Sequence, residues 1–320
     1  MAQKVQVLCK YVGPFLKSAV VLPSAGLRDY IDFYSCNEFD IMQFPSQHLP
    51  SMLLLPRTRV WMTFGYNDIP YLVEQTGKNF QSHSIVLGEQ NIQNHYYIDK
   101  CPKVNKQIDV IFKPGGFYKF FGIYDGEVGN DCFRADEVVG NQIRCIEEQF
   151  NDLKSMGDRV RLLDRFFAER LKFMRREINT TLIAMRLIVA NRGNMKVKEL
   201  SKELSISNRT LERQFMNRIG LSPKEFLRVV RFKSVLNKIL SLNSIDWLDL
   251  VQSHGYYDQS HLIEEFKSAT TFSPQSFLDQ KGKSILKFRG LLILLGDDPL
   301  LYSYRNVMEE AGKGELMERL

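Results

Sequence analysis

Residues 186 to 238 carry thirteen Lys/Arg against four Asp/Glu, a local net charge of +9, whereas residues 239 to 280 carry one Lys and six acidic residues, net −5. Clustered guanidinium and ammonium groups suit the chemistry of phosphate neutralisation, and DNA offers a dense row of phosphates. The whole chain, with 43 basic and 37 acidic residues in 320, is only mildly basic at +6, so the distribution says more than the sum. Other chemistries find less support. Five cysteines (Cys9, Cys36, Cys101, Cys132, Cys145) are scattered, odd in number and form no CxxC pair, which argues against a disulfide framework or a zinc ribbon. His48, His83 and His95 lack the HxH spacing with a nearby Glu that a metal-binding β-barrel would offer. No GxSxG, Walker A or HExxH motif occurs. No catalytic residue, metal or cofactor is therefore expected.

The elements that would position these groups divide the chain. At 44% hydrophobic, 320 residues can build more than one core. Up to about residue 125, short apolar runs are each closed by Pro or Gly: Ser51 to Leu55, Val60 to Phe64, Ser84 to Leu87 and Ile108 to Phe112. Such runs read as strands of a sandwich or barrel. From Arg159 to Arg176 the spacing turns helical, with Val160, Leu163, Phe166, Phe167, Leu171 and Met174 on one side. That helix fits either ordinary packing on a domain or a dimer contact. No run approaches the ~20 apolar residues of a membrane span and no signal peptide opens the chain, so a cytoplasmic protein is expected.

From Asn179 to Gly282 the sequence repeats itself. A shift of 51 residues aligns Leu211 with Leu262, Phe215 with Phe266, Ser222 with Ser273, Pro223 with Pro274, Phe226 with Phe277 and Leu227 with Leu278. An internal duplication explains this economically. In the first copy Val197, Leu200 and Leu204 line a short helix, Ser205 to Ser207 break it, and the Ser207 hydroxyl is placed to cap a second helix with Leu211, Phe215 and Ile219 inside. In the second copy, Leu248 and Val251 belong to the first helix, His254 to Tyr257 form the turn, Asp258 is the cap, and Leu262 and Phe266 face inward. Lys224 to Leu240 reads as one helix joining them. Two short helices across a tight turn are the helix-turn-helix arrangement, whose second helix fits the major groove.

The segments SxxTLERQFxxxxGLSPKEFLRVVRF, LNKIL, HGYYDQSHLIEEFK and FSPQSFL resemble the double helix-turn-helix domain of AraC-type bacterial transcription regulators. YVGPFL, GLRDYIDFY and FKPGGFYKFFGI are similar to the β-rich sensor that precedes it in one branch of the family. The resemblance implies an α+β chain: a cupin-like sensor and dimerisation sandwich or barrel over 1–136, a helical linker over 137–178, an all-α DNA-binding domain over 179–282, and an extension of unassigned role over 283–320. It implies DNA contact by Ser207, Asn208, Arg209, Thr210, Glu212 and Arg213 in the first copy and by Gln259, Ser260, Ile263, Glu264 and Lys267 in the second. Arg suits guanine and Glu suits cytosine in the major groove.

The second copy departs from the first where it matters electrostatically. Arg209 becomes Ser260, Arg213 becomes Glu264 and Arg218 becomes Ala269, so the first copy is expected to dominate affinity for promoter DNA. The plainer alternative for Glu264 and Glu265 is ion pairing with the connecting helix. Expected partners are double-stranded promoter DNA, RNA polymerase, a second copy of the chain, and a small-molecule effector held in the sandwich by Trp61, Phe64, Phe112 and Phe117, with Tyr66 and Phe120 nearby. The rival functions are an adaptor with a degenerate DNA-binding domain and a small-molecule-binding cupin enzyme.

Overall fold

The computed structural model describes residues 6–12, 16–40, 51–54, 56, 58–66, 71–74, 79–80, 82–88, 94–100, 104–129, 132–173, 179–241, 244–270, 272–280 and 291–294. Met174, at the end of the Arg159 to Arg176 pattern, and His48 lie outside these residues. The N-terminal strands are β1 (Gln6–Val12), β2 (Leu16–Leu22), β3 (Ile31–Asp40), β4 (Ser51–Leu54), β5 (Trp61–Tyr66), β6 (Tyr71–Glu74), β7 (Asn79–Phe80), β8 (Ser84–Leu87), β9 (Asn94–Lys100), β10 (Val104–Phe112) and β11 (Cys132–Arg134). One sheet runs β1-β2-β3-β10-β5-β8-β11; the other includes β4-β9-β6-β7. The four apolar runs picked out above fall in β4, β5, β8 and β10. From the C-terminal extension, β12 (Leu291–Leu294) pairs in parallel with β4, Leu291 opposite Ser51 and Leu294 opposite Leu54.

Period-two alternation sorts the larger sheet into two buried faces. Met62, Phe64 and Tyr66 of β5 and Ile108, Val110 and Phe112 of β10 enter one core. That core is completed by α1 (Gly116–Phe121), α2 (Asp125–Val128), α3 (Ala135–Val139), α4 (Gln142–Asp152) and α5 (Met156–Phe173). Phe112 is its hub, with ring centroids 5.4 Å from Phe117, 5.9 Å from Phe120 and 5.6 Å from Phe167. Val160, Leu163 and Phe167 place the apolar side of α5 in this core, so that side packs within the N-terminal half.

The C-terminal half is helical: α6 (Thr180–Ala190), α7 (Val197–Glu203), α8 (Asn208–Ile219), α9 (Pro223–Ser241), α10 (Trp247–Ser253), α11 (Gln259–Thr270) and α12 (Pro274–Gln280). Two cores share α9. Its Phe226, Leu227 and Val230 pack with Leu211 and Phe215, while Phe232, Val235, Leu236 and Ile239 pack with Leu262 and Phe266. No described helix is long and apolar enough to cross a membrane.

Candidate nucleic-acid interface

Ser207 begins α8 by accepting a hydrogen bond from the Thr210 amide at 3.1 Å, which satisfies a donor that the first helical turn would otherwise leave open. Leu211, Phe215 and Ile219 then recur every fourth residue and are buried, so the same periodicity turns Arg209, Glu212 and Arg213 to solvent. Asn208 is less available than the resemblance implies: its side-chain oxygen accepts from the Ser201 hydroxyl at 2.5 Å and ties α7 to α8. Thr210 is half-buried, its hydroxyl 2.9 Å from that of Ser207. Among the described residues, neither Arg209 nor Arg213 has an ion-pair partner, which leaves both guanidinium groups open to an external anion.

In α11, Asp258 takes the capping role, accepting from the His261 amide at 2.8 Å. Gln259, Ser260, Glu264 and Lys267 are exposed and Ile263 is half-buried, with Leu262 and Phe266 inside. The helices of the two copies correspond element by element along the chain, but the shift is not uniform. Helices α6, α8 and the start of α9 map forward by 51 residues, whereas α7 maps onto α10 by 50. The turn absorbs the difference. Ser205 (φ 54°) corresponds to Gly255 (φ 66°), and Tyr257, 91% exposed, is the added residue before the cap.

The acidic pair of copy two separates. Glu264 stays in solvent, while Glu265 is buried against the connecting helix. Its carboxylate accepts from Arg231 Nη2 at 3.0 Å and Tyr256 Oη at 2.9 Å, and lies 3.4 Å from Arg228 Nε and 3.8 Å from His261 Nε2. The Arg231 guanidinium also stacks over the Tyr256 ring, 4.7 Å from its centroid. Burial opposes charge on Arg231, yet its bonds to Glu265 hold its pKa above the ordinary value. Burial first, and the Glu265 charge second, push the Tyr256 hydroxyl well up, so it remains a donor. Periodicity alone could have found Glu265, since Leu262, Glu265, Phe266 and Ala269 share one helical face.

Arg218 also turns inward: it donates to the Thr181 hydroxyl at 2.9 Å and lies 5.5 Å from the Tyr124 ring centroid. Arg186 donates to the Asp29 carbonyl at 3.2 Å. Part of the +9 segment thus serves internal contacts with the N-terminal half and with copy two.

A family profile described as a helix-turn-helix domain matches residues 200–280. This segment is a helix-turn-helix domain of the AraC type. No curated protein matches the chain. Solved structures similar to it include ToxT from Vibrio cholerae O395, at 13% identity and TM-score 0.45 over 78% of this chain and 99% of that one. Unsaturated fatty acid-bound ToxT from V. cholerae strain SCE256 gives 12% and 0.41 over 72% and 93%. The C-terminal domain of AraT, a response regulator from Geobacillus stearothermophilus, gives 20% and 0.30 over 33% and 88%. All eleven positions named from the sequence for DNA contact lie within the matched residues, six at the cap or start of α8 and five along α11.

The N-terminal residues named for an effector fall on both faces of the large sheet. Phe64, Phe112 and Phe117 lie in the helix-facing core, as do Tyr66 and Phe120. Trp61 is buried on the opposite face, in register with Ile111. That face also carries a polar network. The Asp109 carboxylate accepts from Thr63 Oγ1 at 2.7 Å, Asn37 Nδ2 at 2.8 Å and Gln107 Nε2 at 3.0 Å, and Ser18 donates to Asn37 at 2.5 Å. Burial, and then the charge of Asp109, raise the pKa of Cys36 far beyond that of a free thiol and keep it protonated. Among the described residues, no three His, Cys, Asp or Glu side chains are grouped to hold a metal ion.

Proposed function

We propose that the chain is a cytoplasmic, effector-responsive, sequence-specific DNA-binding transcription regulator in which the first helix-turn-helix supplies most of the affinity. The observation that carries this reading is the pair Arg209 and Arg213, exposed on a capped helix of an AraC-type domain with no counterion among the described residues. Ser207, Thr210 and Glu212 stand beside them, and Gln259, Ser260, Ile263, Glu264 and Lys267 form the second reading surface. Residues 179–282 are the DNA-binding unit in this reading and 1–136 the sensor and dimerisation unit. The segment 137–178 is the helical linker, whose α4 and α5 pack on that unit, and 283–320 is an extension. The effector is assigned to the sensor sandwich, where the Trp61 side of the sheet joins an apolar ring to hydroxyl, amide and carboxylate groups, the combination that orients small polar ligands. Phe64, Phe112 and Phe117 would then respond through the opposite face.

Selection of binding sites from random double-stranded DNA tests the reading. Enrichment of a defined sequence, with affinity falling steeply as salt rises, is the expected result. A pool that stays random favours the adaptor alternative, for which the acidic surface of copy two, led by Glu264, offers a contact with a protein such as RNA polymerase. A metabolite panel screened by thermal shift, then by DNA affinity, identifies the effector. Hits that alter stability and never affinity would sink the regulatory link.

A further inference from the structure

The two recognition helices are joined by more than the length of α9. In copy one, α8 is fixed to α9 through Phe215 and Phe226, 5.8 Å between centroids. The loop between α6 and α7 presses on α9 one turn later: a Cβ on Gly193 would lie 2.6 Å from the Arg231 amide nitrogen and 2.6 Å from the Leu227 carbonyl oxygen. The same loop reaches copy two directly, since a Cβ on Gly255 would lie 2.2 Å from Asn194 Oδ1. From Arg231 the path enters α11 at Glu265, whose side chain is 5% exposed against 17% for Arg231. The position equivalent to Glu265 in copy one is Gln214, which among the described residues takes only a 3.4 Å contact from Thr181 Oγ1. The charged junction belongs to copy two alone.

We propose that Glu265 is a positioning residue: by holding Arg231, Arg228 and Tyr256 at once, it fixes where the second recognition helix stands relative to the first. Taking away one partner of such a pair leaves a buried charge without its counterion, so α11 has reason to shift rather than keep its place. The geometric claim stands on the contacts alone; its consequence for DNA rests on the proposed function.

The experiment uses the full chain with spin-label side chains introduced as noncanonical residues at Met216 of α8 and Lys267 of α11, equivalent exposed positions, so the native cysteines are left alone. Pulsed electron resonance should give one narrow distance distribution for the parent. It should be displaced or broadened in Glu265→Gln, which keeps side-chain size and loses the charge, and more so in Glu265→Ala. Asn194→Ala, outside the ion pair, should leave the main distance in place. If Glu265→Ala unfolds copy two, Glu265→Gln decides; a parent-like distribution in Glu265→Gln overturns the proposal. The second arm compares the selected DNA with the same DNA randomised beyond the first subsite. Glu265→Gln should bind the intact site only as tightly as the parent binds the truncated one, and the truncated site as the parent does. Equal loss on both, or none on either, overturns the positioning role. A parent that selects no DNA overturns the proposed function instead, and the distance arm still judges Glu265.

Discussion

Gly126 of α2 meets Gly220, the residue that ends the first recognition helix, backbone to backbone: a Cβ on Gly126 would lie 2.6 Å from the Gly220 nitrogen and 2.7 Å from the Ile219 carbonyl carbon. Tyr124, two residues before, stacks on Tyr118 at 4.4 Å and lies under Arg218. The N-terminal half therefore grips α8 at its C-terminal end and leaves the end that carries Arg209 and Arg213 open. If the proposed regulator holds an effector in its N-terminal half, the signal has a short route to the helix that would read DNA.

A side chain at position 126 should break this grip. Gly126→Val forces two backbones apart where neither has a flexible group to yield, and overpacking of this kind costs about 1–3 kcal/mol. Calorimetry should show a lower main transition with the two halves beginning to melt apart. An unchanged single transition would mean that the halves do not meet this way in solution.

Arg213→Ala should weaken DNA binding by about 1–3 kcal/mol, and loss of a phosphate-contacting Lys or Arg should lower the salt slope by about 1. Glu264→Ala, at the equivalent position of copy two, should change affinity by no more than about 0.5 kcal/mol or improve it, since it removes a charge of the same sign as the phosphates. Titrations at several salt concentrations check both. Two variants that behave like the parent would remove the asymmetry between the copies.

The turns offer a comparison within one molecule. Gly255 has φ 66° and Asn194 against it, while Ser205 holds the equivalent φ of 54° with a side chain. Gly255→Ala is expected to cost about 1–2 kcal/mol for the left-handed backbone alone, and more for the contact. Ser205→Gly trades relief of that strain against a more flexible unfolded chain, so a change within about 1 kcal/mol is expected. Chemical denaturation measures both.

The duplication was legible because Leu211, Phe215, Pro223 and Phe226 recur as Leu262, Phe266, Pro274 and Phe277, and the demands of a shared core keep such residues recognisable. Its register was legible only in part. One residue lost before α10 and regained as Tyr257 is invisible when the helices on either side still align at 51. The fate of Glu264 and Glu265 could not be read from composition: adjacent carboxylates differ by 100° around a helix, which sends one to solvent and the other into Arg231. The contact of Gly126 with Gly220 lay beyond sequence reasoning, because each glycine reads as an ordinary turn former and nothing local pairs them. In the N-terminal half, closed apolar runs gave β4, β5, β8 and β10, while α1 was hidden in the stretch after Pro114. That stretch reads as a turn, and Gly115 does adopt φ 74°, but it serves as the cap of a helix of aromatics.

His254 gives copy two a pH response. It is buried beside the Leu250 and Ser234 carbonyls, with Arg192 and Asp249 also acting on it, and burial holds its pKa below the ordinary value. The unfolded chain therefore binds the proton more readily than the folded one. The associated stability is complete above about pH 6.5 and is lost as pH falls below it toward the lowered folded value. Melting temperatures of the parent should fall between pH 7.5 and 5.5 more than those of His254→Gln. Parallel curves would contradict the assignment.

Helix α9 closes the first core with Phe226 and Val230 and opens the second with Phe232 and Ile239, so it is the last helix of one copy and the first of the next. It acts as a ruler read in whole residues. One residue inserted between Val230 and Phe232 would turn everything beyond it by about 100° and carry it forward about 1.5 Å. The residues that face a ligand can change one at a time during evolution, but the count between the two cores cannot. Neither copy can be exchanged as a separate part, because each would leave with half of the other's wall.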